Sequence, residues 1–341
     1  MKAGLLIIPL LLIGCLQQPV ADPKADSTAP TTAPTTAPTK PPVQPPSEQK
    51  QQKPISLQPR ALWNYTTMDN VYGVALSDNG EYAALGSWDD HVYFLNKKGE
   101  PLWEFKAKGG IHDVAMTSNT ATIAVLSYTY DETTLHILDK NGRELWNLSI
   151  PGLARGIDIT EDGSIAVASY TGKVILLKNG YILWEYALEK SAWGAWDAVF
   201  ADNRIIAGDD NAIIYELNLD GGLLWKKKLG RKDYIYGVAA DSKGSYVAAV
   251  TQDKNVYLFK NGKLQWKQQT GFSNYGAAIS PKGDLVAVGS WDKNLYLFGI
   301  RGDLLWKHYV GDNVNRISFS GDGRYLLIGS SDNSAYLFEL E

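Results

Sequence analysis

The sequence predicts an all-β fold: a seven-bladed propeller of four-stranded antiparallel blades, its last blade closed by the N-terminal strand. Three observations predict it. Tryptophan recurs at Trp63, Trp103, Trp146, Trp184, Trp225, Trp266 and Trp306, a period of about 40 residues that suits one blade per repeat. Between successive tryptophans lie short runs rich in Val, Ile, Tyr and Phe, parted by Gly-containing turns, as sheet hairpins require. The first tryptophan strand, Ala61 to Tyr65, precedes every other strand, while the last unit, from Asn313 to Glu341, ends without its own. Pairing the first strand with the last three completes the ring and hides two sheet edges.

The chain opens with Met1 and Lys2, a mostly apolar run from Ala3 to Gly14, and Cys15. That run is too short to span a bilayer and reads as a signal peptide. Leu12-Ile13-Gly14-Cys15 resembles the lipobox of secreted lipoproteins, whose cysteine becomes the lipidated N-terminus. The resemblance implies an anchor at Cys15; an ordinary signal peptide with an incidental cysteine is the alternative. Cys15 is the only cysteine, so no intramolecular disulfide holds the fold. From residue 16 to 58 the chain is mostly Pro, Thr, Ala, Gln and Lys, and Thr31 to Pro38 is a literal repeat. With little apolar surface to bury, this stretch cannot offset its ordering entropy, and its prolines keep it extended. The expected organisation is a lipoprotein signal peptide and lipidation cysteine at 1–15, a tether at 16–58 and the propeller at 59–341.

The repeats divide alike. In the first, Val71 to Ser77 is a first strand, Asp78-Asn79-Gly80 a turn and Glu81 to Gly86 a second strand. His91 to Leu95 is a third, Lys97-Lys98-Gly99 a turn and Leu102 to Phe105 a fourth. Turn signals return at Glu161-Asp162-Gly163, Ser242-Lys243-Gly244, Pro281-Lys282-Gly283 and Gly321-Asp322-Gly323. Gly99, Gly142, Gly180, Gly221, Gly262 and Gly302 each stand four residues before a tryptophan. A flat indole needs a neighbour without a side chain to lie against, and burying one contributes roughly 4–6 kcal/mol as an upper figure. This Gly-x-x-x-Trp pattern resembles the tryptophan-docking repeat of pyrroloquinoline quinone (PQQ)-like propellers across residues 60–341. A WD40-like flavour is present in Gly86-Ser-Trp-Asp89 and Gly289-Ser-Trp-Asp292. That family's Gly-His dipeptide is absent, and the Trp-Asp pairs follow the second strand rather than the third.

Alignment of the repeats exposes two variable sets. The start of each first strand carries Tyr72, His112, Arg155, Trp196, Tyr236, Tyr275 and Asn315. The turn after each second strand carries Trp88, Tyr128, Tyr170, Asp209, Gln252, Trp291 and Ser331. In a propeller both connections lie on one face, so the sets should ring one mouth of the channel. Aromatic residues there can stack on planar or sugar-like ligands, with Arg155 and His112 as polar anchors. The competing expectation is that they only fill the channel mouth. Neither Arg155 nor Trp196 is expected to be a blade core residue. Asp89, Asp210, Asp253, Asp292 and Asp332 follow the turn residue and read as Asx-turns. Standing one per blade, they are too far apart to share a metal. The four histidines are scattered, with no metal spacing, nucleophile elbow or phosphate-cradling loop. Neither a metal nor a cofactor is expected.

A net charge of −4 without a basic run argues against nucleic acid as partner. The chain reads as a monomeric lipoprotein, lipid-anchored to the cell membrane on its extracytoplasmic face. Its propeller would bind or scaffold a protein or glycan partner. The PQQ-like resemblance implies one alternative, a quinoprotein oxidoreductase. Such enzymes usually have eight blades and a bound Ca²⁺ beside a catalytic Asp, whereas this chain has seven repeats and short loops. A lyase or hydrolase using His112, Asp113, Arg155 and Asp197 at the mouth is another. Binding is preferred over catalysis. A role like that of the propeller lipoproteins of outer-membrane assembly is a further reading, against which stands that those resemble eight-bladed rings.

Overall fold

Strands packed between two neighbouring sheets must be apolar on both faces, and the second strands of the repeats are nearly continuous Val, Ile, Leu and Ala, while the third strands add Tyr and Phe. The computed structural model describes residues 57–130, 132–189, 193–231 and 233–340. In it the repeats form seven four-stranded antiparallel sheets arranged in a ring. Blade 1 runs Val71–Leu76, Tyr82–Ser87, His91–Asn96 and Pro101–Lys106 from the channel outward. The inner strands of blades 2 to 7 are Gly110–Met116, Ala154–Ile159, Ala195–Ala201, Ile235–Ala240, Asn274–Ile279 and Val314–Phe319. These bounds lie within a residue or two of the expected strands of blade 1.

The closing strand is Arg60–Thr66. It pairs antiparallel with Ser334–Glu339 as the outer strand of blade 7, Arg60 opposite Glu339 and Thr66 opposite Ser334. An Arg60–Glu339 ion pair fastens one end. The expected closure of the ring is therefore the observed one.

Two bulges recur in all seven blades. In the outer strand the extra residue immediately precedes the tryptophan, as at Leu62, Leu102, Leu145, Leu183 and Leu224. In the inner strand the register slips around Tyr72, His112, Arg155, Trp196, Tyr236, Tyr275 and Asn315. A bulge leaves its residue out of the ladder and re-aims its side chain. That is how each mouth residue leaves the pleat.

The glycine that receives each indole is not the one four residues before it. Trp63 lies on Gly99, Trp103 on Gly142, Trp184 on Gly221 and Trp266 on Gly302, each glycine belonging to the next blade. A Cβ on Gly142 would stand 2.7 Å from the Trp103 ring, and the residue also holds φ +79°. Only glycine meets both demands cheaply. The indole N–H then donates to the same turn, from Trp63 to Lys97 O (2.9 Å) and from Trp103 to Lys140 O (2.9 Å). Trp306, whose following blade has no such turn, packs on Phe338 instead. The repeat is thus a blade-to-blade latch.

Candidate functional site

The inner strands place the same three positions of every blade along the channel. The first is the bulged mouth residue. Tyr72 stacks on Trp88 with ring centroids 4.7 Å apart and meets Tyr275 edge-on at 6.1 Å. Tyr275 and Tyr236 each stack on Trp291, at 5.8 and 5.9 Å. Tyr236 meets Trp196 at 4.5 Å, and Trp196 meets Tyr170 at 5.1 Å. The Arg155 guanidinium lies over both Tyr170 (4.6 Å) and Trp196 (4.5 Å). His112 is buried between Tyr72, Trp88 and Tyr128. Both expected rings are on one face, and they interlock rather than line an open rim.

Asn315 takes no part in this stack. Its side chain is buried and donates to Val71 O (3.0 Å), tying blade 7 to blade 1. Trp196 touches four partners, Arg155, Tyr170, Tyr234 and Tyr236, yet neither it nor Arg155 is among the buried residues of a blade core. Burial drives the Tyr72 and Tyr236 phenols up to about 12, with neighbouring tyrosines adding to the effect. Burial, then the Arg155 and Arg316 charges, push His112 down to about 3. His112 is neutral at physiological pH.

The Asx-turn reading is seen directly. Asp89 Oδ1 accepts from His91 N (3.1 Å), and its Oδ2 accepts from Tyr93 Oη (2.9 Å) and Met68 N (2.9 Å). Asp292 and Asp332 repeat this with Tyr296 and Tyr336 and with the amides of Gly271 and Gly311. Each carboxylate thereby ties its turn to the loop entering the same blade. In blade 4 the expected alignment is one residue out. Asp209 pairs with Ala195 as Ser87 pairs with Val71, so Asp210 takes the place of Trp88. The left-handed Ala212 matches Asp90, Lys254, Lys293 and Asn333. The Asp-Asp dipeptide offered two equally good registers to the eye.

The second position, below the mouth, holds Gly73, Asp113, Gly156, Asp197, Gly237, Gly276 and Arg316. Arg316 was not singled out from the sequence, yet it organises the channel. Its Nη1 is 2.7 Å from Asp197 Oδ2 and its Nη2 3.0 Å from Asp113 Oδ2. The carboxylates also bridge blades: Asp113 accepts from Ile157 N (3.2 Å) and Asp197 from Val238 N (3.0 Å). Asp158, at the third position, accepts from Phe200 N (2.8 Å). Burial raises Asp113 to about 7 against the pull of Arg316, and raises Asp158 to about 6. A single cation among glycines and two aspartates at one aligned position was the available signal.

Three polar atoms at this end are buried without a partner among the described residues: Trp196 Nε1, Trp291 Nε1 and Arg155 Nε. Such groups are uncommon in native folds. Above them the same face exposes Met68, Trp88, Tyr130, Trp193 and Phe272. Trp193 sits on a longer connection than its counterparts in other blades, between Ala187 and Ala195, and Tyr130 on the turn between Tyr128 and Glu132. Between Trp88 and Tyr130 lies a mainly apolar cavity of about 440 Å³ that reaches His112 and Tyr128. The residues do not fit a planar quinone. The rings that would sandwich it stack on one another, and Asp113 and Asp197 are committed to Arg316 and backbone amides. The same commitments leave Asp113 and Asp197 ill placed for proton transfer.

The family model described as outer membrane protein assembly factor BamB matches residues 131–289 and 172–337. No curated protein matches the chain. The two overlapping stretches together span more than half of it, and the chain belongs to that family as a PQQ-like propeller repeat protein.

Proposed function

We propose that this member of the BamB family is a membrane-anchored scaffold of the cell envelope that holds a protein partner on the mouth face of its propeller. The observation that carries the reading is the exposed aromatic set on that face, Trp88, Tyr130, Trp193 and Phe272 with Met68 beside them, over a rigid interlocked floor. Large aromatic side chains held by a preorganised support are the usual anchors of protein interfaces. The family description supports an envelope role. The enzymatic alternatives gain nothing from the site: His112 is buried and neutral, and the channel carboxylates are paired.

The test uses a photo-reactive residue at position 130, 193 or, on the opposite face, 162, introduced into the full chain in its native membranes. Discrete adducts are expected from the first two positions and none from the third. Equal labelling from both faces would sink the reading. Tyr130→Ala with Trp193→Ala should weaken capture at least about 30-fold, the loss of roughly 2 kcal/mol typical of an interface anchor. Both side chains are exposed, so the melting temperature should hold.

Cys15 and residues 16–56 of the tether lie outside the described residues, and the anchor and tether rest on their sequence. Among the described residues no helix is long and apolar enough to cross a membrane. Cys15→Ser is expected to move the protein from the membrane fraction to the soluble or secreted fraction. Unchanged sedimentation with membranes would remove the anchor from the proposal.

A further inference from the structure

Four blades begin their second strand with a long flat side chain, and one of the four breaks a rule that the other three keep. Blades 4, 5 and 7 begin that strand with a long flat side chain, Arg204, Tyr246 or Tyr325. In each case the first turn of the next blade brings a left-handed glycine against it. A Cβ would stand 2.3 Å from Arg204 at Gly244, 3.1 Å from Tyr246 at Gly283 and 2.3 Å from Tyr325 at Gly80. Blade 1 begins the strand with Tyr82, but the facing turn of blade 2 carries Thr120, at φ +63°, in the glycine's place. A turn with a side chain there cannot close onto the ring as glycine does. Tyr325 is accordingly 3% exposed and Tyr82 38%. A groove of about 630 Å³ opens between blades 1 and 2, on the face opposite the mouth.

The groove has a stacked floor and a polar rim. Tyr82 lies 5.5 Å and 10° from Phe94, which lies 4.7 Å and 9° from Trp103, itself latched to blade 2. On the rim, Asn79 Oδ1 accepts from Ser77 Oγ (2.9 Å) and Glu81 N (3.1 Å). Asn119 Oδ1 likewise accepts from Thr117 Oγ1 (3.0 Å) and Ala121 N (2.7 Å). Those bonds fix both amides and leave their Nδ2 groups as donors. Asn141 and Lys140 complete the rim.

We propose that this groove binds a pyranose unit of a glycan chain. A pyranose ring has a flat C–H face to lie on Tyr82 and a girdle of hydroxyl and ring oxygens to accept from the amides and the ammonium. Few polar groups placed around an aromatic platform are what a small-ligand site requires. The site is independent of the mouth face.

Three probes test it by calorimetric titration into the detergent-solubilised full chain: the N-acetylglucosamine tetramer, cellotetraose and the hyaluronan tetrasaccharide. At least one should bind with a Kd below about 1 mM. Tyr82→Ala should weaken that binding at least ten-fold, while Trp193→Ala on the mouth face leaves it unchanged. If Tyr82→Ala fails to fold, Lys140→Ala with Asn141→Ala gives the same reading from exposed rim positions. Failure of all three probes to bind below about 10 mM, or binding that survives the folded groove variants, overturns the proposal.

Discussion

Arg316→Met should destabilise the propeller by about 3–5 kcal/mol, the cost of leaving buried carboxylates without their counter-charge. Asp113 and Asp197 are 5% and 2% exposed, and Arg316 is the cation that meets both. Asp113→Asn with Asp197→Asn in the same background should recover most of the loss, because the charge that needed pairing is gone. The deficit should also depend on pH. Asp113 titrates at about 7 in the fold against an ordinary 3.8, raised by burial and held back by Arg316. A carboxyl raised on folding contributes stability that is complete below the unfolded value and lost as pH rises through the folded one. Without Arg316 the folded value climbs further, so the deficit of the variant is larger at pH 8 than at pH 5. Denaturant unfolding of both proteins at the two pH values measures this. An equal deficit at both would show that Arg316 acts by packing rather than by charge.

Deleting residues 16 to 65 should lower the melting temperature by more than about 10 °C, against almost no change on deleting 16 to 54. The longer deletion strips the Ser334–Glu339 strand of its partner and exposes an unpaired edge. It also removes Trp63 from Gly99, unlatching blade 7 from blade 1. That indole alone contributes roughly 4–6 kcal/mol by area, as an upper figure. Aggregation of the longer deletion at temperatures where the shorter stays soluble would fit the exposed edge. Matching melting curves would mean that the ring closes without its N-terminal strand.

Much of the candidate mouth was legible because the inner-strand bulge falls at the same place in each blade. Aligning Tyr72 with Trp196 and Tyr275 therefore aligned residues that share one environment. The alignment carried no distances. It could not show that Trp196 is clamped by Arg155, Tyr170, Tyr234 and Tyr236 rather than standing at a rim. Nor could it show that Asn315 turns inward to Val71. The groove at Tyr82 was invisible for a related reason. Thr120 looks like any turn residue until the glycines facing Arg204, Tyr246 and Tyr325 are seen to be a set.

What the sequence determined by itself was the number of blades, their strands and turns, and the closure of the ring. Those depend on apolar runs, on the glycines of hairpin turns and on a repeat count, all properties of residues close together in the chain. Only the tertiary structure decided which glycine receives which indole, that Arg316 pairs with Asp113 and Asp197, and that blade 1 leaves its tyrosine open. Each of these joins different blades. A repeat places equivalent residues in equivalent positions without stating which neighbour each will face. That is set by the ring, in which every blade completes the one before it.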